Sequence, residues 1–174
     1  MSELDEAWAL ALLEAERQAR LAGRKDIADY LSLRNSNDLL RKAGVEWLIA
    51  EFTSLAGDAN RNGASIQIAT QDGHRFRTGN STMVGHQLTL SYGIRTLYVE
   101  AGWPRTPRDG VVRGGGLASA SIRHLGIKNA GDELLLVKSS NGAPAWKFTA
   151  HKHTLHEDDM RRHLTILLDQ HHKH

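Results

Sequence analysis

The sequence predicts an α+β fold: a helical N-terminal subdomain, a largely antiparallel sheet of about six to eight strands, and a C-terminal amphipathic helix. Three observations point there. Apolar residues recur at helical spacing as far as about residue 60, the period drops to two beyond Asn62-Gly63, and the later strand-like runs are joined by connections too short for parallel crossovers. Residues 1–60 therefore read as an acidic helical subdomain and residues 61–174 as a basic sheet with its closing helix, the two making one folding unit.

Ser2 and Asp5 have capping-box spacing, and Leu4, Trp8, Ala11, Leu12, Ala15 and Ala19 follow at helical intervals until Gly23, so a first helix is expected over 3–22. A short second helix over 25–33 carries Ile27, Ala28 and Leu31 and stops at the turn-forming Arg34-Asn35-Ser36-Asn37. A third runs over 38–59 with two apolar faces. Val45, Leu48, Ile49, Phe52, Leu55 and Ala56 form one, and Leu40, Ala43, Trp47 and Ala50 form the other. One face suits the sheet; the other suits the first helix or a second copy in a homodimer. A DNA-reading helix-turn-helix is disfavoured, because the turn lacks Gly and the region is acidic.

Ile66 and Ile68 open the strand region, Gln71-Asp72-Gly73 reads as a hairpin turn, and Phe76 lies on the return strand, closed by Gly79-Asn80. Further strands are expected over 87–92, 95–101, 117–125, 133–138 and 145–150, with turns at Gly93, 104–110, 129–132 and 141–144. Thr154 and Glu157 then have capping-box spacing ahead of Met160, Leu164, Leu167 and Leu168, the apolar stripe of a last helix. His171 to His174 read as a tail.

Composition narrows the function classes. A chain of 174 residues without cysteine excludes disulfide scaffolds, thiolate catalysis and cysteine zinc sites. The acidic, interrupted start is unlike a signal peptide, and no apolar run reaches membrane-spanning length, so a soluble cytoplasmic protein is expected. No cofactor is implied. The net charge of +2 conceals an asymmetry: residues 1–60 carry seven Lys or Arg against eleven Asp or Glu, whereas 73–128 carry eight basic residues against Glu100 and Asp109 alone. A local positive field of that kind attracts phosphate or an acidic partner.

The candidate site lies inside this basic stretch. In Trp103-Pro104-Arg105-Thr106-Pro107-Arg108, two prolines stiffen a loop that offers one stacking ring and two guanidinium forks; alternatively Trp103 is a core anchor and the arginines are solvated. Arg113-Gly114-Gly115-Gly116 has the conformational freedom of an anion nest or of a simple turn between strands, and lacks the ending of a phosphate-binding loop. Trp103, Arg105, Arg108 and Arg113 are the expected anion- or partner-binding residues, with Arg95 and Arg123 in support. Ten histidines invite a metal site, the densest group being His151, His153 and His156, but no ligand pattern specifies one. No catalytic motif emerges. His86, His124, Ser119, Ser121, Glu100 and Asp109 are available without diagnostic spacing, and a strand turns Glu100 outward toward Arg95, Arg113 or Arg123. A non-enzymatic binding or regulatory protein is the leading expectation, with a protein partner or homodimer ahead of nucleic acid. An enzyme using His124 or His86 beside Glu100 is the remaining alternative.

Overall fold

A computed structural model describes residues 3–169. Two helices, α1 (Glu3–Leu21) and α2 (Lys25–Arg61), precede six strands: β1 (Gln67–Thr78), β2 (Ser81–Tyr92), β3 (Arg95–Trp103), β4 (Ala118–His124), β5 (Ile127–Lys138) and β6 (Pro144–Phe148). Helix α3 (Glu157–Leu168) follows. The strands form one antiparallel meander in the order β1-β2-β3-β4-β5-β6. The α+β class is therefore that of the sequence. No helix among the described residues is long and apolar enough to cross a membrane.

Alternation fixes which way the sheet faces. Leu88, Leu90, Leu97, Val99, Ala120, Ile122, Leu134 and Leu136 share the inner face and are buried against Val45, Leu48, Phe52, Leu55 and Ala56 of α2. Met160, Leu164 and Leu167 of α3 complete this core. Each fully buried Leu or Phe contributes about 1.5–3 kcal/mol of transfer free energy, so the C-terminal half of α2 is held firmly on the sheet. Gly44 sets how closely: a Cβ there would lie 2.6 Å from Leu136 Cδ2, and the backbone approach lets Trp146 donate its indole N–H to the Gly44 carbonyl at 2.9 Å.

Four local expectations are corrected. The break at Arg34-Asn35-Ser36-Asn37 is absent, and α2 is one helix of 37 residues. Turn-forming side chains cost only about 0.7 kcal/mol each inside a helix, with no proline to force an end, so the flanking helix formers and the clamped C-terminal half prevail. Gly73, at φ 64°, makes a bulge between Asp72 and His74 rather than a hairpin, and β1 continues to the turn at Gly79-Asn80. Residues 129–132 lie within β5 because the chain reverses earlier, at Gly126 (φ 82°). Helix α3 starts two residues later than Thr154 implies: the Asp159 carboxylate accepts the His156 backbone N–H at 2.8 Å.

The second apolar face of α2 is not covered by α1. Ala43, Trp47 and Ala50 are exposed, Trp47 by 44%, whereas α1 packs beside the N-terminal half of α2 and buries only Leu12 of its own residues. At its N-terminal end α2 also runs past the sheet. The stripe of α2 that meets the sheet at Val45 and Leu48 continues through Tyr30, Leu33 and Arg34, where it overhangs the end of β2 and β3.

Candidate functional site

Beneath that overhang is a cleft of about 540 Å³. Its helical wall is Leu4 and Trp8 of α1 with Tyr30, Leu33, Arg34, Asn37, Asp38 and Arg41 of α2; its sheet wall is Arg75, Val84 and Trp103 to Thr106. Helical spacing puts Tyr30, Arg34, Asn37 and Arg41 on one side of α2, and the helix–sheet gap widens where the core side chains stop.

The residues within the cleft are organised by contacts that suit a binding surface. Arg105 lies flat on Trp103, its guanidinium carbon 3.7 Å from the ring centroid, while Nε and Nη2 donate to the Val84 carbonyl at 3.3 and 3.2 Å. Its Nη1 binds the Asp5 carboxylate at 2.6 Å, tying the start of α1 to the loop. Arg34 sits over Trp8 at 5.2 Å, and Trp8 Nε1 donates to Asp38 at 3.1 Å. Arg41 bridges Asp38 at 2.6 Å and the Leu117 carbonyl at 2.9 Å. Arg34 has no carboxylate partner among the described residues, and Arg75 reaches Asp109 only at 4.0 Å.

The loop after β3 is preorganised. Asp109 accepts the backbone N–H groups of Arg105 and Thr106 at 3.0 and 3.1 Å, and these bonds, the Arg105 one foremost, hold its carboxyl below the usual carboxylate range. Ser81 Oγ both donates to the Val111 carbonyl and accepts its N–H, pinning the far side to β2.

Of the residues expected from sequence, Trp103 and Arg105 line the cleft. Trp103 is also the buried end of the core, so the anchor and binding readings describe two sides of one ring. Arg108 lies on the short 3-10 turn Pro107–Asp109 and is exposed. Arg113 contributes backbone to the turn Arg113–Gly115, and its side chain falls outside the described residues. Arg95 is at the opposite end of β3, about 27 Å of extended strand from Trp103. Arg123 is on the outer face of the sheet, 4.7 Å above Tyr98 and 3.7 Å from Glu100. The cleft takes its other members from residues that the sequence did not mark as binding residues: Trp8, Tyr30, Arg34, Arg41 and Arg75. The continuation of one stripe along α2 was the available signal.

The histidines and carboxylates divide between the two faces. Outside, Glu100 is buried beside His74, whose Nε2 is 2.7 Å from Oε2, and Ser121 donates to Glu133 at 3.1 Å. Burial pushes the Glu133 carboxyl up, although part of the residue meets solvent. His86 instead pairs with Asp72 at 2.7 Å. His124 is on the inner face: its Nε2 is 2.9 Å from His163 Nδ1, and His163 Nε2 is 2.7 Å from Asp132. Since the carboxylate accepts, His163 carries its proton on Nε2 and His124 donates to Nδ1. Burial, reinforced by His163 and Arg95, lowers His124 to about 4, and burial lowers His163 in the same direction. The pairing of either His86 or His124 with Glu100 is thus replaced by His74. Among the described residues, no three His, Asp or Glu side chains converge as metal ligands.

Compared with known protein families, curated proteins and solved structures, the chain matches none of them. Its functional reading therefore rests on the residues themselves.

Proposed function

We propose that this protein is a binding module whose cleft receives an acidic protein segment carrying apolar anchors. One observation carries the reading: three aromatic rings, Trp8, Tyr30 and Trp103, and four arginines, Arg34, Arg41, Arg75 and Arg105, line the same opening. Tyr30 is 63% exposed although it lies on the sheet-facing stripe of α2, which makes the overhang a packing surface lacking its second layer. An amphipathic segment inserted there supplies that layer, as in helix-in-groove recognition, while its carboxylates meet Arg34 and Arg75.

The test is fluorescence anisotropy of a labelled acidic peptide with Leu or Phe at every third or fourth position, titrated with the full chain. Binding that weakens with salt and falls about tenfold in the double variant Arg34→Ala, Arg75→Ala supports the reading. Equal binding of a charge-neutral analogue, or tighter binding of short single-stranded DNA or RNA than of the peptide, overturns it.

A second reading, compatible with the first, follows from Leu39, Ala43, Trp47 and Ala50. They form an exposed stripe at i, i+4, i+8 and i+11 on α2, with Leu39 54% exposed, and do not line the cleft. A second copy of the chain covers such a stripe isologously, α2 against α2. Sedimentation equilibrium should give a dimer that Trp47→Ser converts to folded monomer; a monomeric wild type at every concentration removes this reading.

A further inference from the structure

The outer face of β5 and β6 carries a second concavity, of about 830 Å³, that shares no residue with the cleft. Cross-strand register builds its floor: Ser119, Leu135 and Lys147 lie in one row, and Val137 pairs with Ala145 in the next but one. The β1–β2 turn forms one wall with Arg77, Thr78 and Gly79, and Gly114 and Lys152 contribute further along the rim. Leu135 and Val137 are half-buried, leaving an apolar strip open to solvent.

Four cations, Arg77, Lys138, Lys147 and Lys152, are among the lining residues, none with an ion pair among the described residues; Lys147 shares the face of Leu135, whereas Arg77 and Lys138 alternate to the other face and contribute at the strand ends. Lys152 is held at φ 60°, a left-handed conformation uncommon outside glycine. The single carboxylate of the lining, Glu133, is already engaged by Ser121. Cations on the rim of an apolar floor favour an anionic group there.

We infer that this trough is a binding site for an anionic amphiphile, a phosphate or carboxylate head met by the lysines and Arg77 with an alkyl chain lying on Leu135 and Val137. Charge complementarity selects the head, and the apolar strip selects the tail. An added peptide strand suits the site less well, because the free edge of β6 is already bridged by Thr154 at Lys147.

Isothermal titration of the full chain with decyl phosphate below its micellar concentration tests the assignment. Saturable one-to-one binding is expected, about tenfold or more tighter than inorganic phosphate, and weakened as sodium chloride rises from about 0.05 to about 0.5 M. The double variant Lys147→Glu, Lys152→Glu should lose about tenfold or more in affinity while keeping the wild-type circular dichroism, and Arg34→Ala in the cleft should leave it unchanged. Equal affinity for inorganic phosphate, unchanged binding in the lysine variant, or binding to anionic vesicles without binding of free decyl phosphate each overturns the proposal. Because the cleft reading is tested with a peptide and cleft variants, either site can fail while the other stands.

Discussion

Lowering the pH should weaken this fold through His124. In the unfolded chain its imidazole accepts a proton near 6.5, whereas in the core burial and the neighbouring His163 hold that event down to about 4. Between these values the unfolded state binds the extra proton, so stability is fully present above pH 6.5 and is lost as pH falls toward 4. At about 1.4 kcal/mol per pH unit the whole window is worth about 3 kcal/mol, and about 2.5 kcal/mol is gone by pH 4.5. His163 is moved in the same direction by burial and adds to the loss; Glu133, pushed up by burial, works against it as its carboxyl protonates. Urea unfolding of the wild type and of His124→Gln at pH 7, 5.5 and 4.5 reads this directly. The variant lacks the buried titration, so its deficit at neutral pH should shrink by about 2 kcal/mol at pH 4.5. A gap independent of pH, or an imidazole resonance of His124 titrating near 6.5, refutes the reasoning.

Three other changes have defined outcomes. Gly85→Ala puts a Cβ into the Ala101 carbonyl oxygen, backbone that cannot swing aside, and should cost about 2–3 kcal/mol in chemical denaturation. Trp146→Phe removes the buried bond to the Gly44 carbonyl and should cost about 1–3 kcal/mol, with wild-type secondary structure retained by circular dichroism. Asp5→Asn weakens the ion pair to Arg105 by about 1 kcal/mol and should hasten tryptic cleavage at Arg17 and Arg20 in α1, while the global unfolding midpoint scarcely moves.

The sequence carried the class of fold because its periodicities are local: Val45, Leu48 and Phe52 declare a buried helical face, and the alternation around Leu88 and Leu90 declares a half-buried strand. Punctuation was less legible. Asn35-Ser36-Asn37 and Asp72-Gly73 have turn chemistry, yet the first is overruled by the rod it interrupts and the second is spent on a bulge, outcomes decided by tertiary packing. Trp103 and Arg105 were visible in the site because proline and tryptophan cluster in sequence. Trp8, Tyr30, Arg34 and Arg75 were not, since their nearness depends on how far α2 extends past the sheet. His74 was hidden in the same way: it reaches Glu100 across Gly85, a strand position without a side chain to obstruct it.

The unbroken length of α2 has a mechanical consequence. The helix is a rod of about 55 Å clamped near its middle, where Gly44 rests on Leu136 and receives the Trp146 bond, and its Lys25 half packs beside α1. A rotation of about 5° at the clamp swings that end by about 2.5 Å over roughly 28 Å of helix, with every intrahelical hydrogen bond kept. Such a swing would load the contacts of Leu48, Phe52 and Leu55 with the sheet and the Asp5–Arg105 ion pair, so the width of the jaw above Trp103 is tied both to the core and to α1.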